Sequence, residues 1–326
     1  MIGLWQRWVR GCTRVETGTT LALYRIVVGV LLFSEMVTFI RSGIGFSLFV
    51  PLKDGGVAAD YVSHSLVKLM GGPSLEFTTA LLWTGLCTSF LLIIGVGGRL
   101  TAFVLLQILI WLQSLSPEIS GGYDRLFTNG LWLLVLGNST ATLSLSARIR
   151  TGCWTSDRLV LALPRHLMAF QLVVMYVATG INKSSSFWEP PYHAVYYALH
   201  RMTYIRWELP WISDILPLLQ IGTFVTLWWE ITFFMLGFWY MARNGWIGNR
   251  GRALSHRIDL RWAYFGIGVV MHTLVWATLN VGPFTGITFA YYLAFFAPTE
   301  LSSMGNKMLK KLENSMDFFS AKRSGL

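Results

Sequence analysis

The sequence predicts an all-α fold, a polytopic membrane helical bundle of about eight transmembrane helices with interfacial helices at its edges. Three observations lead there. Of 326 residues, 54% are hydrophobic and only 13% charged, with a mean hydropathy of +0.52, well outside soluble usage. Apolar runs of about 18 to 25 residues recur along the chain, each long enough to cross the ~30 Å hydrocarbon layer as a helix. These runs are continuously apolar rather than alternating, which disfavours barrel strands and leaves helices to satisfy the backbone in lipid.

The elements follow in order. Residues 1–18 read as an N-terminal interfacial helix, because Leu4, Trp5, Trp8 and Val9 alternate with Arg7, Arg10 and Arg14, as on an anionic leaflet. Residues 19–298 form the transmembrane domain. Its runs begin near Thr19, Phe77, Arg99, Leu126, His166, Ile215 and Trp262, and a shorter one, Pro283–Pro298, makes the eighth. Residues 299–326 are a short basic cytoplasmic tail. The first run is too long for a cleaved signal, contains Arg25 and Glu35, and has no small-residue cleavage site after it. Two loops on the outer side, 41–76 and 184–214, are rich enough in glycine, proline and aromatics to roof a cavity. The inner loops 146–165 and 242–261, mainly arginine, serine and glycine, are expected to carry little beyond topology and anchoring.

A net charge of +10 raises the question of nucleic acid, and its distribution answers it. With the N-terminus placed in the cytoplasm, eighteen lysines and arginines fall on the inner side and seven on the outer; Arg25, inside a helix, completes the 26. That is a positive-inside bias, so the basic balance reports topology and no nucleic-acid partner is expected. The expected location is a cell inner membrane, with both termini cytoplasmic and membrane lipid as the constant partner.

Cys12, Cys87 and Cys153 are split between cytoplasm and membrane on this topology, so no disulfide framework is expected. Walker, GxSxG, HExxH, CxxC and dinucleotide motifs are absent. No fixed-period repeat is visible, which weighs against a transporter of duplicated halves.

Ionisable residues inside apolar runs are costly and therefore informative. They are Arg25 and Glu35 in the first helix, Glu230 in the sixth and His272 in the seventh, with Asp124 and Lys183 at outer helix ends. Arg25 reads as an inner anchor or a buried partner of Glu230, and Glu35 as a partner of an outer cation. His272 reads as a hydrogen-bonded core histidine or a catalyst. Lys183 reads either as a boundary lysine snorkelling to water or as a base at a pocket mouth. His193 and His200, seven apart with Glu189 nearby, form either a mixed interfacial face or a metal site; no metal is expected.

The stretch ATGINKSSSFWEPPYHAVYYAL, 178–199, resembles the HTTM family, the membrane-domain family that includes vitamin K-dependent γ-glutamyl carboxylase. LYRIVVGVLLFSEM, SGGYDRLFTNGLWLL, LSLSAR and VVMHTLVW fit the same order along nearly the whole chain. The resemblance implies an integral membrane enzyme, carboxylase- or oxygenase-like in chemistry (a lyase), that binds a reduced quinone or another isoprenoid lipid. Lys183 would be its base and His272 a catalytic pocket residue, with Tyr123, Asp124, Trp188 and Glu230 toward the cofactor. One histidine of the carboxylase falls on Tyr123 or Asp124 here, and the large lumenal region that docks its protein substrate has no counterpart in this chain. The family also contains short members that help mature an exported peptide. The alternative expectation is therefore a non-catalytic factor partnered by an exported peptide or a membrane protein.

Overall fold

The computed structural model describes residues 2–58, 65–117 and 120–324. It opens with α1 (Ile2–Cys12), strand β1 (Val15–Thr17), α2 (Thr19–Arg41), α3 (Ile44–Leu48) and α4 (Ser65–Leu69). Next come α5 (Leu75–Ile94), α6 (Arg99–Leu115), α7 (Gly122–Leu136), α8 (Leu145–Thr151), strand β2 (Leu159–Leu161) and α9 (Leu163–Ile181). The chain continues through α10 (Ala194–Leu199), α11 (Leu216–Thr232), α12 (Phe234–Arg243), α13 (Asn249–Arg257), α14 (Leu260–Thr278), α15 (Phe284–Tyr292) and α16 (Pro298–Ser324). The fold is all-α apart from one antiparallel pair, β1 with β2, that sets Val15 opposite Leu161. Residues 59–64 of the 41–76 loop and the side chains of Leu4, Arg7 and Trp8 lie outside the described residues.

A helix occupies each of the eight expected positions: α2, α5, α6, α7, α9, α11, α14 and α15. Among the described residues, Thr19–Arg41, Leu75–Ile94 and Pro210–Thr232 are long and apolar enough to cross a membrane. α6 is shorter at 17 residues, and α7 stops after 15, where Gly137 leaves the helical region ahead of a serine- and threonine-rich turn. The run from Ile215 becomes two helices, α11 and α12, broken at Phe233.

Sequential helices pack as neighbours, as short connections dictate. α2 lies along α5 at Gly29, where an added Cβ would come 3.1 Å from the backbone nitrogen of Ile93; a small residue lets two helices approach this closely. Leu21, Val28, Leu32 and Met36 share the inner face of α2 and meet Leu105, Leu106, Leu131 and Leu134 in one apolar core.

β1 and β2 mark one end of the bundle, because α2 follows the first strand and α9 the second. That sheet end is held by charge. Arg165 grips Glu16 with two bonds of 2.7 and 2.8 Å and also donates to the Tyr240 hydroxyl and the Ala294 carbonyl. Arg25 is fully buried and donates to the Leu143 carbonyl at 2.6 Å. Its expected partner Glu230 is elsewhere. Arg25 lies one and a half turns into α2, above Gly95 at the carbonyl end of α5, where the helix dipole is negative.

The loops expected to do little beyond topology and anchoring carry real structure. Residues 146–165 contain β2 and the arginine that holds β1, while 242–261 contain α13 and the start of a second ionic cluster. In that cluster Arg261 donates to Asp259 at 2.7 Å and to Glu300 at 2.8 and 2.9 Å, and Arg243 reaches Glu300 at 3.2 Å. The tail forms the helix α16, Pro298–Ser324, whose first turn supplies Glu300.

Burial alone would raise the Asp259 and Glu300 carboxyls. The Arg261 bonds outweigh it and hold both below the usual carboxylate range. A depressed folded-state value contributes stability that is complete above the unfolded values of ~4 and is lost as pH falls through the folded ones. The thermal midpoint of the detergent-solubilised chain is therefore expected to drop as pH falls below about 4, and Arg261→Gln to flatten that dependence. An unchanged acid profile in Arg261→Gln would remove the cluster as its source.

Candidate functional site

α9 runs antiparallel to α11 and α12, with Gly180 against Ile231, Val173 against Gly237 and Arg165 against Tyr240. Gly180 is required by the approach: a Cβ there would sit 2.8 Å from the Ile231 backbone nitrogen and 3.0 Å from the Glu230 Cβ. α9 ends at once, Asn182 closing it through an N–H bond to Ala178. Lys183 then turns back over the contact, and its ammonium donates to the Glu230 carboxylate.

The pair is recessed. α11 starts at Leu216 and Glu230 is fourteen residues further on (230 − 216), roughly 21 Å along the axis at 1.5 Å per residue. Lys183 is thus at the end of its own helix but not at the rim of the bundle, as the sequence reading has it. The outer half of α11 packs instead on the returning segment, where the Val195 N–H donates to Thr223 and Gln220 bonds His193. The Trp188 ring lies 4.7 Å from the Lys183 ammonium, a cation–π contact that suits a partly desolvated amine. Only 17% of the lysine side chain and 9% of the glutamate side chain remain exposed.

One turn below Gly180, Tyr176 joins the site to His272. Its hydroxyl lies 2.7 Å from His272 Nε2 and 3.3 Å from the Tyr292 hydroxyl. Trp229, beside Glu230, packs edge-on against the Tyr176 ring at 4.6 Å. His272 is buried, its carbonyl accepts from Thr285, and its Nδ1 has no partner among the described residues. The sequence reading missed Tyr176 and Tyr292. Tyr176 was findable, because seven residues before Lys183 places it on the same helix face; Tyr292 comes from a distant helix with no such signal.

Tyr123 and Asp124 do not join this cluster. They stand at the start of α7, in a small, partly open cavity of about 60 Å³ between α2, α6, α7 and the turn before α15. Asp124 serves its own helix, accepting from the Gly121 N–H at 2.7 Å and from Ser120 at 3.2 Å, so one carboxylate oxygen is committed to a cap. Glu35 lines the same cavity and forms no ion pair among the described residues, contrary to the outer-side partner expected for it. The turn before α15 links the two regions: Pro283 lines the cavity, and the Phe284 ring lies 5.2 Å from that of His272.

His193 and His200 bracket α10 rather than sharing a ligand face. His193 meets Gln220, and His200 bonds the Tyr196 carbonyl at 2.8 Å. Among the described residues no three His, Cys, Asp or Glu side chains converge as a metal site would need. Comparison with protein-family models, characterised proteins and solved structures gives no match to this chain.

Chemically, the arrangement is a lysine–carboxylate pair able to hold or release one proton, roofed by an indole and backed by a tyrosine–histidine hydrogen bond. Removing one member of such a buried pair leaves the other charge uncompensated. Lys183→Met or Glu230→Leu alone is expected to destabilise by about 3–5 kcal/mol, and the double variant Lys183→Met/Glu230→Leu by much less. Unfolding in detergent measures the cycle; additive losses would mean that the two side chains are not coupled.

Proposed function

We propose that the chain is a multi-pass membrane enzyme of the HTTM type, with about eight spans and both termini in the cytoplasm of an inner membrane, acting on a reduced isoprenoid quinone. The recessed Lys183–Glu230 pair carries this reading. Lys183 passes its proton to Glu230, and the freed amine takes the proton of a hydroquinone hydroxyl. The products are a quinolate, an ammonium and a neutral carboxyl, so charge balances. Trp188 covers the amine, excludes water and offers a face for the quinol ring, while Tyr176, held by His272, orders the floor beneath. Residues Tyr123 and Asp124 belong to a separate pocket, so the cofactor set is reduced to Trp188 and Glu230.

Mild extraction followed by mass spectrometry is expected to recover an isoprenoid quinone. A bound short-chain hydroquinone is expected to ionise well below the ~10 of an unperturbed phenol, read from phenolate absorbance. Arginine keeps the charge but cannot give up its proton. Lys183→Arg is therefore expected to lose the phenolate signal, and turnover by ~10²–10⁴-fold, at normal abundance. Full phenolate formation in that variant would remove lysine from the chemistry.

A second reading, a factor that recognises an exported peptide, is favoured by Phe187, Tyr197, Trp207 and Trp211, large apolar side chains exposed on the 184–214 segment. A stoichiometric peptide without quinone in the same extract would select it. Reporter fusions after Arg150, after Arg252 and at the C-terminus are all expected to read cytoplasmic; an outward C-terminus would overturn the topology.

A further inference from the structure

The cavity at the start of α7 is independent of the Lys183 chemistry and has a character of its own. Its walls are apolar and aromatic, with Leu32, Met36 and Phe39 from α2, Phe49 from the loop above, Leu112 from α6 and Phe127 from α7. Phe49 is fixed there by an edge contact with Phe39 at 5.4 Å and by Thr78, which donates to its carbonyl at 2.9 Å. Among the described residues no lysine, arginine or histidine lines it. Of its two carboxylates, Asp124 is occupied by the helix cap. Glu35 is half-buried, makes no hydrogen bond or ion pair among the described residues, and feels only the like charge of Asp124.

An unpaired carboxylate in apolar surroundings is costly, and a neighbouring carboxylate raises the cost. A ligand that brings a positive charge with its own N–H donors would offset the carboxylate charge, and aromatic faces around it would add to the attraction. A neutral ligand would leave the acid uncompensated, and an anion would be repelled.

We propose that this cavity is a binding site for a protonated amine carried on an apolar or aromatic body, with Glu35 pairing the ammonium and Phe39, Phe49 and Tyr123 flanking a body that extends through the open side. Glu35 is then a recognition residue, and Asp124 holds the entrance helix in place. Lys183 has no part in it, so the site stands or falls separately from the quinol reading.

The test is calorimetric titration of the full chain in lipid nanodiscs with phenethylammonium and with its neutral isostere, phenethyl alcohol. Saturable ammonium binding, on the order of tenfold tighter than the alcohol, is expected. Glu35→Gln should erase the preference, because the amide no longer supplies charge. Leu112→Trp, which fills the cavity and keeps Glu35, should lose both probes and serves as the second variant if Glu35→Gln does not fold. The double variant Lys183→Met/Glu230→Leu should bind the ammonium as the parent does, which separates this outcome from any failure of the quinol chemistry. Equal affinity for the two probes, absence of saturable ammonium binding, or a preference that survives Glu35→Gln would each overturn the proposal.

Discussion

A charge taken out of water is costly unless it meets an opposite charge or a set of hydrogen bonds, and the structure is organised around where most of its few interior charges find them. Arg165 meets Glu16, Arg261 meets Asp259 and Glu300, and Lys183 meets Glu230. Apart from Arg261–Asp259, which are two residues apart, each pair joins segments far apart in sequence and closes the bundle at a different place. Apolar packing, by contrast, is nearly interchangeable along these helices and says less about which must lie beside which.

The three pairs differ in what surrounds them. At the sheet end Arg165 is saturated by a carboxylate, a hydroxyl and a carbonyl, and Arg261 bonds two carboxylates, of which Glu300 is shared with Arg243. Such networks hold elements in place and leave no group free to react. Lys183 has one carboxylate and an indole face, and the pair remains partly exposed. A proton-holding pair with one open side is the arrangement that chemistry can use, whereas a saturated one is structural.

The close contact at Gly180 connects packing to that chemistry. Because α9 and α11 touch at a glycine, Lys183 is brought down beside Glu230 rather than standing at the rim, and the outer half of α11 is left to pack on the aromatic segment 184–200. The same helix carries Tyr176 seven residues earlier and Arg165 eleven before that. One face of α9 thus bears a structural arginine at the sheet end and leads into the Lys183–Glu230 pair at the other, with Ala169 and Leu172 between them. That dry interval separates the two ionic regions.

Local chemistry made much of this legible in the chain. Apolar runs announce helices, and all eight expected positions are helical, because hydrophobic length and the absence of alternation act within a single segment. Lys183, Glu230 and His272 stood out since an ionisable group in such a run is rare whatever its partner. Which charge met which was decided only by tertiary structure. Arg25 found the Leu143 carbonyl instead of Glu230, Asp124 was spent on its own cap, and Glu35 was left alone in a cavity whose walls come from five separate segments. The strand pair β1–β2 was also invisible, since three-residue strands carry almost no hydrophobic period. Burial depth was the last to be decided: Lys183 reads as a boundary residue from its own helix, and becomes an interior one because α11 extends some fourteen residues beyond it.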